Sequence, residues 1–376
     1  MRRRFVAGGS VAVVGLLVLL LMARPWAQTA AVPAGDVIGA GNFIHIVGDV
    51  DRSVAFYQNV LGMDLQRGGG ARGNAPAGAV PPAAPAAPPA PPAAPRQYGG
   101  QAEIMRLYNA VDIQYRLGAI MVGDWPMRAE QIDWNDASRK PIQPRYQDPG
   151  ASTLVLTVRS LDTVLARVKA IGAPIVTAGG APVSFSEDGT KVRAVLVKDP
   201  DGFFVELVER DPAPPTTATS VSMDGNLIGV GFAFTVSDTD RMMRVFKDAL
   251  GFAPETSAFL SDKARLDLMA TPGAQYRRTT ATVPGSSLRV EFFEFRGIDR
   301  KPVQSTTRDP GTPVLRLRVR DIDTTLKSLG AAGVKVWSAG GEPVFVGNAN
   351  GGQRFAITSA PDNLYIQVVQ QVQRAP

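Results

Sequence analysis

The chain contains itself twice, and this repetition constrains its fold more than any other feature. Over residues 107–208 the second copy lies 161 positions downstream. Gln114-Tyr115-Arg116 returns as Gln275-Tyr276-Arg277, and Arg139-Lys140-Pro141 as Arg300-Lys301-Pro302. Asp148-Pro149-Gly150 returns as Asp309-Pro310-Gly311, Ala178-Gly179-Gly180 as Ala339-Gly340-Gly341, and Pro200-Asp201 as Pro361-Asp362. Further upstream the offset is 189: Asp51-Arg52 matches Asp240-Arg241, and Leu61-Gly62 matches Leu250-Gly251. The 28-residue difference between the offsets is an insertion in the first copy. Like segments at this period imply like structural units, with equivalent positions facing equivalent environments.

Each copy divides again. Phe43 to Val47 is a short apolar run, followed by a helical pattern through Val54, Phe56-Tyr57 and Val60-Leu61 that Gly62 closes. Asp51 is placed to cap that helix. Leu154 to Val158 reads as a strand, and Leu161, Leu165, Val168 and Ile171 as the apolar stripe of a second helix before Gly172. Strands follow at Ile175-Val176, Arg193 to Val197 and Phe203 to Val208, with Asp199-Pro200-Asp201-Gly202 as the turn between the last two. The second copy repeats the pattern, which predicts four βαβββ units in two pairs and an α+β class. Most of the insertion is an Ala/Pro-rich segment, 74–96, whose composition supplies neither ladder donors nor a surface to bury.

The chain has 376 residues and a hydrophobic content of 45%, enough for two or three cores. It has no Cys, which excludes disulfides and thiolate metal sites. Its one His, His45, excludes a three-His zinc site. Arg2-Arg3-Arg4 precede an uncharged run from Phe5 to Ala23, closed by Arg24-Pro25, and small residues follow. Residues 1–31 therefore read as an export leader cut after Ala27 or Ala31, or as an uncleaved anchor. The expected location is periplasmic or secreted, with membrane contact only if the leader stays. Removing four leader Arg lowers the formal charge from +6 to +2. No basic run interleaved with aromatics remains, so nucleic acid is not an expected partner. A small molecule is, and a homodimer is left open.

Asp51-Arg52-Ser53-Val54-Ala55-Phe56-Tyr57 with Val60-Leu61-Gly62, and Asp199-Pro200-Asp201-Gly202-Phe203-Phe204-Val205-Glu206-Leu207, resemble the first helix and closing hairpin of the vicinal oxygen chelate superfamily. That superfamily includes glyoxalase I, extradiol dioxygenases and bleomycin-resistance proteins. The resemblance implies two glyoxalase-like domains, 40–210 and 226–373, joined by the linker 211–225. It implies that consecutive units pair around a cavity, and that metal-binding members place ligands on the first and last strands of each unit. Carried onto this sequence, those positions are Asn42, Glu130, Thr153 and Glu206 in the first pair. In the second pair they are Gly231, Glu291, Val314 and Gln367. The first set has no His; its two carboxylates and two neutral oxygens suit Mg²⁺, Ca²⁺ or Mn²⁺ better than Fe²⁺, and Zn²⁺ is a further candidate.

Strand alternation puts Asn42, Ile44 and Ile46 on one face, and Phe43, His45 and Val47 on the other. Phe234 stands at the repeat equivalent of His45, which marks a core position. Arg128 and Arg289 lie two residues before Glu130 and Glu291, so each pair shares a strand face. Such a pair could clamp an anion, with Glu130 or Glu206 as acid–base group and Arg128 orienting the substrate, or could only tie the sheet together. Tyr115, Arg116, Arg289 and Glu291 are further candidates for binding a substrate. The expected activity is that of a glyoxalase- or dioxygenase-like enzyme acting on a small anionic or aromatic molecule in the first domain. The alternatives are a binding protein of the bleomycin-resistance type and a surface scaffold.

Overall fold

A computed structural model of the chain describes residues 35–65, 98–121, 128–214, 225–348 and 351–373. The leader, the Ala/Pro-rich segment and the middle of the linker lie outside them. Four βαβββ units are present, as the repeat predicts. The first holds β1 (Val37–Ile46), α1 (Val50–Leu61), β2 (Asp64–Leu65), a short α2 (Ala102–Leu107), β3 (Tyr115–Met121) and β4 (Arg128–Trp134). The second holds β5 (Ser152–Val158), α3 (Leu161–Ala170), β6 (Val183–Glu187), β7 (Thr190–Lys198) and β8 (Phe204–Asp211). The third holds β9 (Leu227–Val236), α4 (Thr239–Met243) running into a π-helical stretch Arg244–Ala249, β10 (Glu255–Thr256), α5 (Lys263–Leu268), β11 (Gln275–Thr282) and β12 (Arg289–Arg296). The fourth holds β13 (Pro313–Val319), α6 (Ile322–Ala331), β14 (Lys335–Val336), β15 (Val344–Asn348), β16 (Gly351–Ser359) and β17 (Tyr365–Gln373).

Local chemistry sets the element ends. The cap of α1 is Asp49, not Asp51: its carboxylate accepts from the backbone N–H groups of Asp51 and Arg52, and Asp51 sits inside the first turn. Gly62 ends the helix at φ 65°, in the left-handed region that an L side chain rarely adopts.

The units do not pair in chain order, which corrects the expectation that residues 40–210 enclose one cavity. One sheet runs β14-β16-β17-β13-β1-β4-β3-β2, with β15 on β16, and so joins the first unit to the fourth. The other runs β10-β11-β12-β9-β5-β8-β7-β6 and joins the second to the third. The physical reason lies in the connectors between units, where the repeated Arg-Lys-Pro and Asp-Pro-Gly segments sit. Each connector crosses to the opposite half and bonds its counterpart. Lys140 N donates to Asp309 Oδ1 (2.7 Å), and Lys301 N to Asp148 Oδ1 (2.7 Å). Ile142 N donates to the carbonyl of Pro310 (2.9 Å), and Val303 N to that of Pro149 (2.8 Å). Pro fixes φ and withholds a donor at these crossings, so the chain runs extended into the neighbouring sheet.

Alternation along the strands then sorts the cores. Phe43, Leu156, Phe232 and Leu317 point to the helix-bearing faces and merge with Val54, Val164, Phe246 and Ile322 of the helices into one central core. Phe43 stacks on Phe232 across the two sheets at 4.7 Å. Burying each such ring stabilises the fold by roughly 1.5–3 kcal/mol. The inner face of the first–fourth sheet holds Ile44, Trp134, Val314 and Tyr365, closed by Tyr108 after α2. The inner face of the second–third sheet holds Leu196, Phe204, Phe293 and Phe295, closed by Leu266 and Leu268 of α5. No helix among the described residues is long and apolar enough to cross a membrane.

Candidate functional site

His45 lies in the central core, on the face expected from alternation, between Phe43 and Phe203 (ring centroids 6.2 and 4.6 Å). It is 1% exposed, and both ring nitrogens lack a hydrogen-bond partner among the described residues. Its Nδ1 sits 3.4 Å from Asp199 Oδ2, a carboxylate that also accepts from Tyr57 Oη (3.1 Å). Burial lowers the His45 pKa to about 4, against the opposing charge of Asp201. Burial likewise raises Asp199 to about 7. Both side chains are buried in the central core.

The four candidate ligands expected to meet in one site are separated by the sheet pairing. Asn42 and Glu130 face the inside of the first–fourth sheet; Thr153 and Glu206 belong to the second–third sheet. Each inner face instead brings together ligand positions from units that are distant in sequence. In the first–fourth sheet these are Asn42, Glu130, Val314 and Gln367. Arg316, two residues beyond Val314 and therefore on the same face, reaches between them. Its guanidinium grips Glu130 with two parallel bonds, Nη1 to Oε1 (3.0 Å) and Nη2 to Oε2 (2.8 Å), while Nε donates to Gln367 Oε1. Asn42 Nδ2 donates to Glu130 Oε1. Gly41 makes this possible: a Cβ there would lie 2.6 Å from Arg316 Cγ.

The second–third sheet carries Thr153, Glu206, Gly231 and Glu291 at the same positions. Arg278 takes Glu291 with two bonds, Nε to Oε2 (3.0 Å) and Nη2 to Oε1 (2.6 Å). Glu187, at the end of β6, accepts from Arg265, lies 2.5 Å from Arg278 and 2.6 Å from Arg210. Burial alone would raise both carboxyls, yet the surrounding guanidiniums hold Glu291 below the usual range and Glu187 at about 2. Glu206 differs. Its nearest guanidinium nitrogen, on Arg265, is 4.0 Å away, and burial raises its pKa to about 7, with the charges of Glu291 and Glu187 adding to the rise. A cleft of about 490 Å³ opens over Phe185, Glu187, Arg265, Tyr276 and Arg278.

Other candidates fall elsewhere. Tyr115 packs on Trp134 (5.2 Å) at the inner face of the first–fourth sheet. Arg116 points to the opposite face, where it bonds the fully buried Asp133 together with Arg139. Arg289 reaches Glu291 only at 3.7 Å, because Arg278 already holds that carboxylate. Arg128 begins β4, and its side chain lies outside the described residues. Arg316 and Arg278 were missed in the sequence, although counting two residues on from Val314 and Tyr276 would have placed them. Arg265 comes from α5, whose docking no pattern announces.

A divalent ion does not fit either set. Neither contains His, and the carboxylates of Glu130 and Glu291 are each spent on a bidentate guanidinium that already occupies the space between the ligand positions. Among the described residues no group of three or more His, Cys, Asp or Glu is arranged to hold a metal.

The model of the Glyoxalase/Bleomycin resistance protein/Dioxygenase superfamily matches residues 41–207 and 230–345, more than half of the chain. The chain belongs to this superfamily. In fold it is similar to a glyoxalase I variant from Zea mays, at 12% identity, with 90% of this chain and 94% of that one covered and a TM-score of 0.53. A putative dioxygenase from Bacillus subtilis gives 12% identity, coverage of 90% and 86%, and a TM-score of 0.51. No curated protein matches by sequence. At these identities the likeness concerns the fold.

Proposed function

We propose that this superfamily member is a metal-independent binder of a small aromatic molecule, seated in the cleft of the second–third sheet. The observation that carries the reading is the substitution of guanidinium groups for a metal at the ligand positions of both sheets. Phe185 and Tyr276 supply ring surfaces to the cleft. Its lining also holds Glu187, Asp188, Glu255 and Asp262 against Arg265 and Arg278, a balance that favours a neutral or cationic molecule over an anion. The sequence of residues 1–31, which reads as an export signal or an N-terminal anchor, favours export as the setting.

The test is elemental analysis by mass spectrometry on leader-free protein, after supplementation with Mg²⁺, Mn²⁺, Fe²⁺ and Zn²⁺. The expected result is well below one metal per chain. A near-stoichiometric metal that is lost in Glu206→Ala or Glu130→Ala overturns the reading. A second reading is acid–base turnover at the inner face of the same sheet: Glu206 is buried behind the cleft rather than in its wall, and burial raises its carboxyl to about 7, near where a general base works best.

A further inference from the structure

A second cavity lies between the third and fourth units. It measures about 510 Å³ and is lined by Arg241, Arg244, Lys335, Trp337, Ser359 and neighbouring backbone, with no acidic residue in its wall. Arg241, Arg244 and Lys335 are exposed, and none is ion-paired among the described residues. The repeat shows that this is a feature of one half only. Arg244 stands where the first copy has Ala55, Lys335 where it has Pro174, and Ala360 where it has Asp199. In the first copy the counterpart of Arg241 is Arg52, whose Nη2 is bonded to Asp201 at 3.0 Å. Asp201 and its counterpart Asp362 both accept from the equivalent backbone N–H, of Gly48 and Ser237 (2.9 Å each), but among the described residues Asp362 carries no ion pair to Arg241.

Three like charges gathered without a counter-charge repel one another, and a bound anion relieves that repulsion. Arg241 and Arg244 sit three residues apart on one helical face, so both guanidiniums reach one side of the cleft while Lys335 comes from the other. The Trp337 ring is half-buried and fixed from behind, with Nε1 donating to Thr307 Oγ1 (2.9 Å) and the ring set edgewise to Tyr365 at 5.2 Å. An immobilised indole beside two guanidiniums and an ammonium suits a flat ring carrying a doubly charged group. We propose that this cleft binds an organic phosphate with an aromatic or heterocyclic ring. The site is separate from the inner cleft discussed above, and its test does not depend on that reading.

Calorimetric titration of the full chain at low ionic strength tests the assignment, with phenyl phosphate, inorganic phosphate and phenol as probes. Expected is saturable one-to-one binding of phenyl phosphate. It weakens about tenfold in Arg244→Ala and in Lys335→Ala, weakens on raising salt, and is unchanged in the surface control Arg193→Ala. Inorganic phosphate binds more weakly, and phenol does not bind. Absence of saturable phenyl phosphate binding, or equal affinity in parent and both variants, overturns the anion site. Equal affinity for phosphate and phenyl phosphate overturns the role given to Trp337. Circular dichroism of the two variants, whose changed side chains are exposed, confirms that a lost affinity is not a lost fold.

Discussion

Replacing Arg316 by Met tests whether the guanidinium is a structural occupant of the ligand position. The change keeps the aliphatic stem over Gly41 and removes the charge. Among the described residues, Glu130 then keeps the amide of Asn42 as a hydrogen-bond donor. The side chains of Arg316 and Glu130 are 14% and 19% exposed, so the stranded carboxylate is only partly rehydrated. Breaking a buried pair from one side costs about 3–5 kcal/mol. Partial exposure places this case near the lower bound, at about 3 kcal/mol. With an unfolding entropy of about 2 cal/mol/K per residue over the compact unit Gly35–Pro376, that corresponds to a Tm lower by about 4 °C. The double variant Arg316→Met/Glu130→Gln removes the stranded charge and should recover at least half the loss. Urea unfolding of parent, both singles and the double measures the coupling. A single variant within about 0.5 kcal/mol of the parent, or a double no more stable than Arg316→Met, would refute the argument, since neither fits a desolvated carboxylate neutralised by Arg316.

His45→Phe places in the first copy the ring that the second copy has at Phe234; because both imidazole nitrogens are unpartnered, stability at pH 7 should be unchanged or raised by up to about 1 kcal/mol, and a loss above about 2 kcal/mol in thermal unfolding would contradict the core assignment. A His held at about pH 4 when folded costs stability as pH falls from its unfolded value near 6.5, so the same variant should flatten the acid side of the stability profile. Glu206→Gln acts in the opposite window. The folded carboxyl keeps its proton up to about pH 7 and the unfolded one releases it near 4.3, so the parent loses stability as pH rises between those values. The variant should lose less over that range, and urea midpoints at pH 4.5 and 8 that shift in parallel with the parent would show that Glu206 is not the titrating group.

Most strands and helices and the sides they present were legible because alternation and 3.6-residue spacing are local properties; the exceptions are Ile175-Val176, which makes a single bridge rather than a strand, and Ile171, which is exposed at the end of α3. Asn42, Ile44 and Ile46 share a face in the structure as they do on paper, and the Asp199–Gly202 turn closes with Gly202 N on the carbonyl of Asp199 at 3.0 Å. The choice of sheet partner was not legible. It depends on where Lys140 and Lys301 find their Asp acceptors, and those bonds span 169 and 153 residues. That one miss propagated to the site: with the wrong units paired, Asn42 and Glu130 were grouped with Thr153 and Glu206, and the guanidinium between Glu130 and Gln367 was not sought.

The crossed connectors also impose an order of assembly. The second–third sheet is built from one continuous stretch of chain, β5 through β12, and that stretch is nested inside the pieces of the other sheet. In the first–fourth sheet Val37 pairs with Val319 and His45 with Pro313, so its central seam joins the start of the described chain to a segment that follows the whole of the nested sheet. As the polypeptide emerges from its N-terminus, the nested sheet can close before the last strands exist, whereas β1 must wait for β13. Contacts of such long separation form slowly, because the intervening loop must be closed before they stabilise anything. During that wait the apolar helix-bearing face of the first unit can be covered by the second and third units, through the α1–α3 contact and the stacking of Phe43 on Phe232, which gives those contacts a protective role that the finished molecule does not reveal.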